Sequence, residues 1–252
     1  MPKHINSAYR VHATLSAACA RPGNQQMWEV FAKVFEIQHP NGRKKIFEVN
    51  RMLDLLYDEI EKTRAQMKAS NFSEDLYEPA FTLIEQRITP GLLFNDWHGY
   101  KAALEPILHT LKFCSEVLPH EEDLVSEEDL GAIREALKEL EDVLQESELP
   151  DYVKAFIQQH ISIIKKALRD YQVIGAKAFK TAMYEGYIQF VENEEIVTEY
   201  QQSEEIGLLG KAWNGVKKAT SYTLGNEKFL TAGTKLAELG LKVAEHIDKT
   251  QK

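Results

Sequence analysis

The stretch PDYVKAFIQQHISIIKKALRDYQVIG, residues 150–175, decides the fold class. Apolar residues recur in it at three- and four-residue steps, through Val153, Ile157, Ile161, Ile164, Leu168 and Tyr171. That period gives a helix one apolar face and leaves the charged residues on the other. Pro150 suits the first helical position, where no backbone donor is needed. Gly175 supplies a stop, because glycine reaches the left-handed conformation that closes a helix at little steric cost. His160 lies beside the stripe and reads as a partly buried structural histidine.

The same period extends in both directions. Between Arg43 and Lys68 the series Ile46, Val49, Leu53, Leu56, Ile60, Thr63 and Met67 marks a long helix, with Arg51, Asp54, Asp58, Glu61 and Lys62 on its wet side. Upstream, Asn24 is placed to cap a helix holding Met27, Trp28, Phe31, Val34 and Phe35, and Pro40-Asn41-Gly42 supplies a turn. From Trp97 to Leu118 the periodic residues are Tyr100, Leu104, Ile107, Leu108, Leu111, Cys114 and Leu118. Pro106 within them predicts a kink or a fresh start. Ser126, with Asp129 three residues on, resembles a capping box ahead of Leu130, Ile133, Leu137, Leu140 and Leu144. After Gly175, Phe179, Ala182, Met183, Gly186 and Phe190 form a further stripe. No segment alternates with period two between hairpin turns, so strands are not expected. The reading is an all-α, multi-helix bundle of about seven or more helices, ending in a C-terminal amphipathic helical pair.

Charge divides the chain. From Gly207 onward eight lysines face four acidic residues, a net +4, which leaves −13 on the remainder of a chain whose formal charge is −9. Six of the thirteen glycines fall in the same segment. The expected organisation is an acidic helical bundle over 1–192, an acidic linker over 193–206 and a basic amphipathic tail over 207–252. An acidic whole argues against nucleic-acid binding, which needs a basic face. Cys19 and Cys114 make neither a disulfide framework nor a metal pair, as expected of reduced cysteines. The N-terminal residues lack the apolar run of a signal peptide, and no apolar stretch approaches the ~20 residues of a spanning helix. The expected place is the cytoplasm, with a peripheral position at the inner membrane left open.

Motifs for chemistry are missing. His98 and His109, eleven apart, would stand roughly 16 Å from each other on one helix, too far to share an ion. HExxH, phosphate-binding glycine loops, GxSxG and the Arg-to-His spacing of helical HEPN-type ribonucleases are absent from the sequence. His120-Glu121-Glu122-Asp123 could hold a cation weakly but reads as a solvated loop. No catalytic residue, metal site, cofactor or small-molecule substrate is therefore expected.

The tail carries the remaining signal. As a helix, Leu209, Trp213, Val216 and Ala219 would share one stripe, with Leu208 and Ala212 beside it and Lys211, Lys217 and Lys218 at hand. Lysines around an apolar stripe that includes a tryptophan suit a helix lying in a membrane interface. A second segment has Leu230, Gly233, Leu236, Leu239, Gly240, Val243 and Ile247. Packing on the chain's own bundle or in a dimer, membrane contact, and docking to another protein all fit this pattern.

Leu149-Pro150-x-x-Val153-Lys154, continued by Leu168-x-x-Tyr171-x-x-Ile174-Gly175 and Gly186, together with Trp28-x-x-Phe31, resembles a family of uncharacterised bacterial all-helical proteins of about this size, over residues 20–190. The resemblance implies a bacterial origin and a helical body, and supplies no catalytic residue. The expected function is that of a non-enzymatic bacterial effector or interaction protein of the toxin or phage-defence kind. Leu208, Leu209, Trp213 and Val216 would enter a membrane surface or a partner, while Lys211, Lys217 and Lys218 meet anionic headgroups. The alternative is a helical adaptor or scaffold whose tail completes a homo-oligomer or docks a partner protein.

Overall fold

A computed structural model describes residues 5–222, all helices and connections. Among these residues there is no β-strand, and one isolated bridge joins Gln26 and Asp96. The described residues divide into two units: 5–122 with 172–175, and 123–171 with 176–222.

Unit 1 is built around α1 (Ser7–Cys19), which the periodicity reading did not find. Its Ala8, Val11, Leu15 and Ala18 are fully buried. Asn6 starts it: the side chain accepts from the Tyr9 N–H while its amide donates to the carbonyls of Ser115 and Leu118. Around α1 lie α2 (Met27–Val34), α3 (Gly42–Lys68), α4 (Glu78–Arg87), α5 (Trp97–Leu104) and α6 (Leu108–Val117). Asn24 does not cap α2. Gln26 does, in a reciprocal capping box with Glu29. Asn41 caps α3 by accepting from the Arg43 and Lys44 amides. Pro106 sits in a 3₁₀ turn, Glu105–Ile107, that separates α5 from α6, where its missing N–H leaves no helical bond unmade.

Unit 2 consists of α7 (Glu127–Glu146), α8 (Asp151–Ile174, its last residues counted with unit 1), α9 (Lys177–Glu192), α10 (Glu194–Glu199) and α11 (Glu204–Thr220). Ser126 caps α7 through the Asp129 N–H. The contacts fix the directions. Val125 meets Tyr171 and Glu141 meets Lys165, so α7 and α8 are antiparallel. Phe156 meets Phe190 and Tyr171 meets Phe179, so α8 and α9 are antiparallel. Glu139 meets Lys211 and Asp129 meets Lys218, so α11 runs against α7. The result is an up-down-up-down four-helix bundle, with α10 as the link that returns the chain.

The expected boundaries at 192 and 206 fall at the end of α9 and within the first turn of α11. Residues 193–206 hold α10 and the first turn of α11, and Val197 and Ile206 are buried, because both supply apolar residues at helical spacing to the bundle. The first half of the expected C-terminal pair is α11, an integral helix of unit 2. The second half, Leu230 to Ile247, lies outside the described residues.

Candidate functional site

The residues singled out by sequence share one helix but face the protein. Leu209, Trp213 and Val216 have no exposed surface and Leu208 is 9% exposed. Burying each such side chain stabilises the bundle by roughly 1.5–3 kcal/mol, an amount that withdrawal into a bilayer would have to offset. Two of the lysines are engaged as well. Lys211 pairs with Glu139 at 2.7 Å, and Lys218 with Asp129 at 2.6 Å. Hydrogen bonds from Lys218 and Tyr222 hold the Asp129 carboxyl below its ordinary range. Lys217 is half-buried. The structure places this set on the inner face of α11: its stripe is core, and Lys211 and Lys218 beside it answer carboxylates of α7.

What fixes the bundle interior also fixes which face of α9 points outward. Gly186 lies directly under the Trp213 indole, where a Cβ would overlap the ring, so only glycine lets α9 approach α11 this closely. Phe179, Ala182, Met183 and Phe190 are buried on the same side. The opposite side carries Tyr184, Ile188 and Val191 at steps of four and three, exposed by 59%, 40% and 57%. These three are neighbours on a helix surface, so they make a continuous apolar row rather than scattered residues. Glu185 and Glu192 flank it, the former 3.3 Å from Lys166. Sequence reading passed over this row. The signal was present, since α9 has apolar residues on two faces where a helix at the surface of a bundle needs one.

The interior of unit 2 contains a second feature. His160 is fully buried, its ring 4.5 Å from those of Phe156 and Phe190 and 5.6 Å from that of Trp213. Neither imidazole nitrogen has a hydrogen-bond partner, nor does Trp213 Nε1. Burial pulls the His160 pKa down to about 3, so the ring is neutral at ordinary pH.

In unit 1 the run His120-Glu121-Glu122 is not a solvated loop. Arg10, 6% exposed, binds Glu59 at 2.6 Å, Glu122 at 2.6 Å and Glu121 at 2.8 Å. Lys62 and Gln66 also donate to Glu121. Burial alone would raise the Glu121 carboxyl, but hydrogen bonds from Lys62, Arg10 and Gln66 hold it down at about 2. Gly175, at φ +66°, ends α8 where a Cβ would overlap the Glu122 carboxylate. Three carboxylates already committed to one guanidinium form a structural clamp rather than an open ligand set, and no group of metal-binding side chains occurs among the described residues. Nor is any helix among them long and apolar enough to cross a membrane.

Comparison with known families, curated proteins and solved structures brings no match.

Proposed function

We propose that this protein is a helical adaptor or scaffold that works by holding another polypeptide segment through helix packing, with the outer row of α9 as its contact surface. The observation that carries this reading is the exchange of roles between α11 and α9. The apolar stripe that would have served a membrane effector is spent inside the bundle, and among the described residues of unit 2 Tyr184, Ile188 and Val191 are the exposed large apolar residues that align on one helix, Leu124 and Tyr152 being exposed singly elsewhere. An aromatic and two branched aliphatic side chains, rimmed by carboxylates, suit the apolar face of an amphipathic helix with basic edges.

The test uses the full chain with vesicles rich in anionic phospholipid at neutral pH. The expected result is no co-sedimentation and no release of entrapped dye. Binding or release that disappears when Leu209 and Trp213 are replaced would overturn the scaffold reading in favour of the membrane effector.

A further inference from the structure

We infer that the outer row of α9 is a self-complementary surface on which a second copy of this chain seats antiparallel, giving a transient two-fold dimer. This rests on the scaffold reading and names the polypeptide that its surface holds.

The exposed residues of α9 are Lys177, Thr181, Tyr184, Ile188, Val191 and Glu192. The first five follow one another at steps of four and three in alternation, the spacing of a seam by which one helix packs against another. A further step of four reaches Glu195, exposed in α10 just past the end of α9. The seam is therefore ordered along its length: basic at its start, apolar in its middle and acidic at its end. Lys180 lies beside the first part, and Glu194 beside the last. Laid antiparallel with the two-fold axis at the level of Gly186, two copies match throughout. Tyr184 of each copy meets Ile188 of the other, Thr181 meets Val191, and Lys177 comes to Glu195, with Lys180 beside Glu192 and Glu194. A parallel pair would set Lys177 against Lys177 and Glu192 against Glu192, so charge selects the antiparallel one. The same patch used twice about one axis is the ordinary form of a two-fold interface.

The order of charge has no reason within α9 itself. A helix carries positive partial charge at its start and negative at its end, so Lys177 at the first position and Glu192 at the last oppose it at both ends. No acidic residue in the first turn and no basic residue in the last relieves this. An antiparallel twin does: it brings glutamates to the start of α9 and lysines to its end, and sets the two helix dipoles against each other. Size limits the strength. α9 has 16 residues and is about 24 Å long, and one such face on its twin buries less than the ~1,200 Å² of a standard stable complex. The dimer is therefore in exchange with monomer, with a Kd on the order of 10–100 μM.

The test is sedimentation velocity of the full-length chain from about 1 μM to about 300 μM, a range that brackets that Kd. The expected result is monomer at the low end and dimer at the high end. Ile188→Asp should raise the Kd at least about tenfold, since it puts two carboxylates at the centre of the seam. Lys177→Glu should raise it about fivefold, and adding Glu195→Lys to the same chain should restore it, a rescue that damage to the fold would not allow. Orientation is read by oxidative cross-linking. Thr181→Cys mixed with Val191→Cys should give a disulfide-linked pair, while Thr181→Cys alone should not, because its twin lies about 15 Å along the axis. Native Cys19 and Cys114 are buried, and burial pushes both thiols up to about 11, which keeps them out of the reaction. Monomer at every concentration, or a dimer indifferent to Ile188→Asp and to Lys177→Glu, would overturn the self-pairing while leaving the scaffold reading intact. A linked pair from Thr181→Cys alone would mark a parallel seam and overturn it as well. The vesicle result judges the scaffold reading separately.

Discussion

Unit 1 and unit 2 treat buried polarity in opposite ways. In unit 1, Arg10 enters the interior with Glu59, Glu121 and Glu122 around it, and Lys62 and Gln66 complete the set. In unit 2, His160 and the Trp213 indole N–H are buried among aromatic rings with no partner. A satisfied network specifies one arrangement and fails only when a member is removed or protonated. An unpartnered histidine costs stability at every pH and more as protons become available. The units should therefore differ most in acid.

The largest expected effect follows from that difference. The His160 pKa is depressed on folding, so its contribution is fully present above about 6.5 and is lost as pH falls from there toward 3. The loss is about 1.4 kcal/mol per pH unit, roughly 5 kcal/mol across the window. Glu121 is also depressed, and its contribution is lost at lower pH, between about 4.5 and 2. Urea unfolding followed by hydrogen exchange between pH 7 and pH 4 should show unit 2 weakening while unit 1 holds, and His160→Leu should flatten the dependence in unit 2. Parallel weakening of both units would dissolve the contrast.

Next in size is Arg10→Met, which leaves three carboxylates facing one another in unit 1 and should cost about 3–5 kcal/mol in urea unfolding at pH 7. Lowering the pH should recover part of that loss, because protonation removes the repulsion. In unit 2, Gly186→Ala should cost about 1–3 kcal/mol by driving α9 from the Trp213 indole, and Trp213 fluorescence should change with it. Smallest of all, Tyr184→Ser or Val191→Ser should alter stability by at most about 1 kcal/mol, since neither side chain faces the bundle. A loss as large as that of Gly186→Ala would place the row in the core and end its role as a surface.

The helices read best from sequence were those with long aliphatic side chains in a narrow stripe. α3, α7 and α8 came out close to their observed bounds for that reason. α1 escaped because its buried row is small, Ala8, Val11, Leu15 and Ala18, and shares its sequence with the buried Ser7, Arg10 and Thr14. Periodicity weighs side-chain size and apolarity, and a helix at the centre of a unit with a buried arginine shows little of either. The candidate site was harder to read, on physical grounds. An amphipathic stripe such as Leu209, Trp213 and Val216 is equally suited to a bilayer, a partner or its own bundle, and only the surroundings decide. Gly186 and Trp213 are 27 positions apart, and their contact decides which side of α9 is wet.

The exchange of roles between α11 and α9 is tested most directly by native-state hydrogen exchange across unit 2, with and without anionic vesicles. The account predicts that amides over residues 206–219 are protected as strongly as those of α7 and that vesicles leave them unchanged. Exchange as fast as that of the connecting loops, or a change in protection over 206–219 on adding vesicles, would return α11 to the membrane and contradict it.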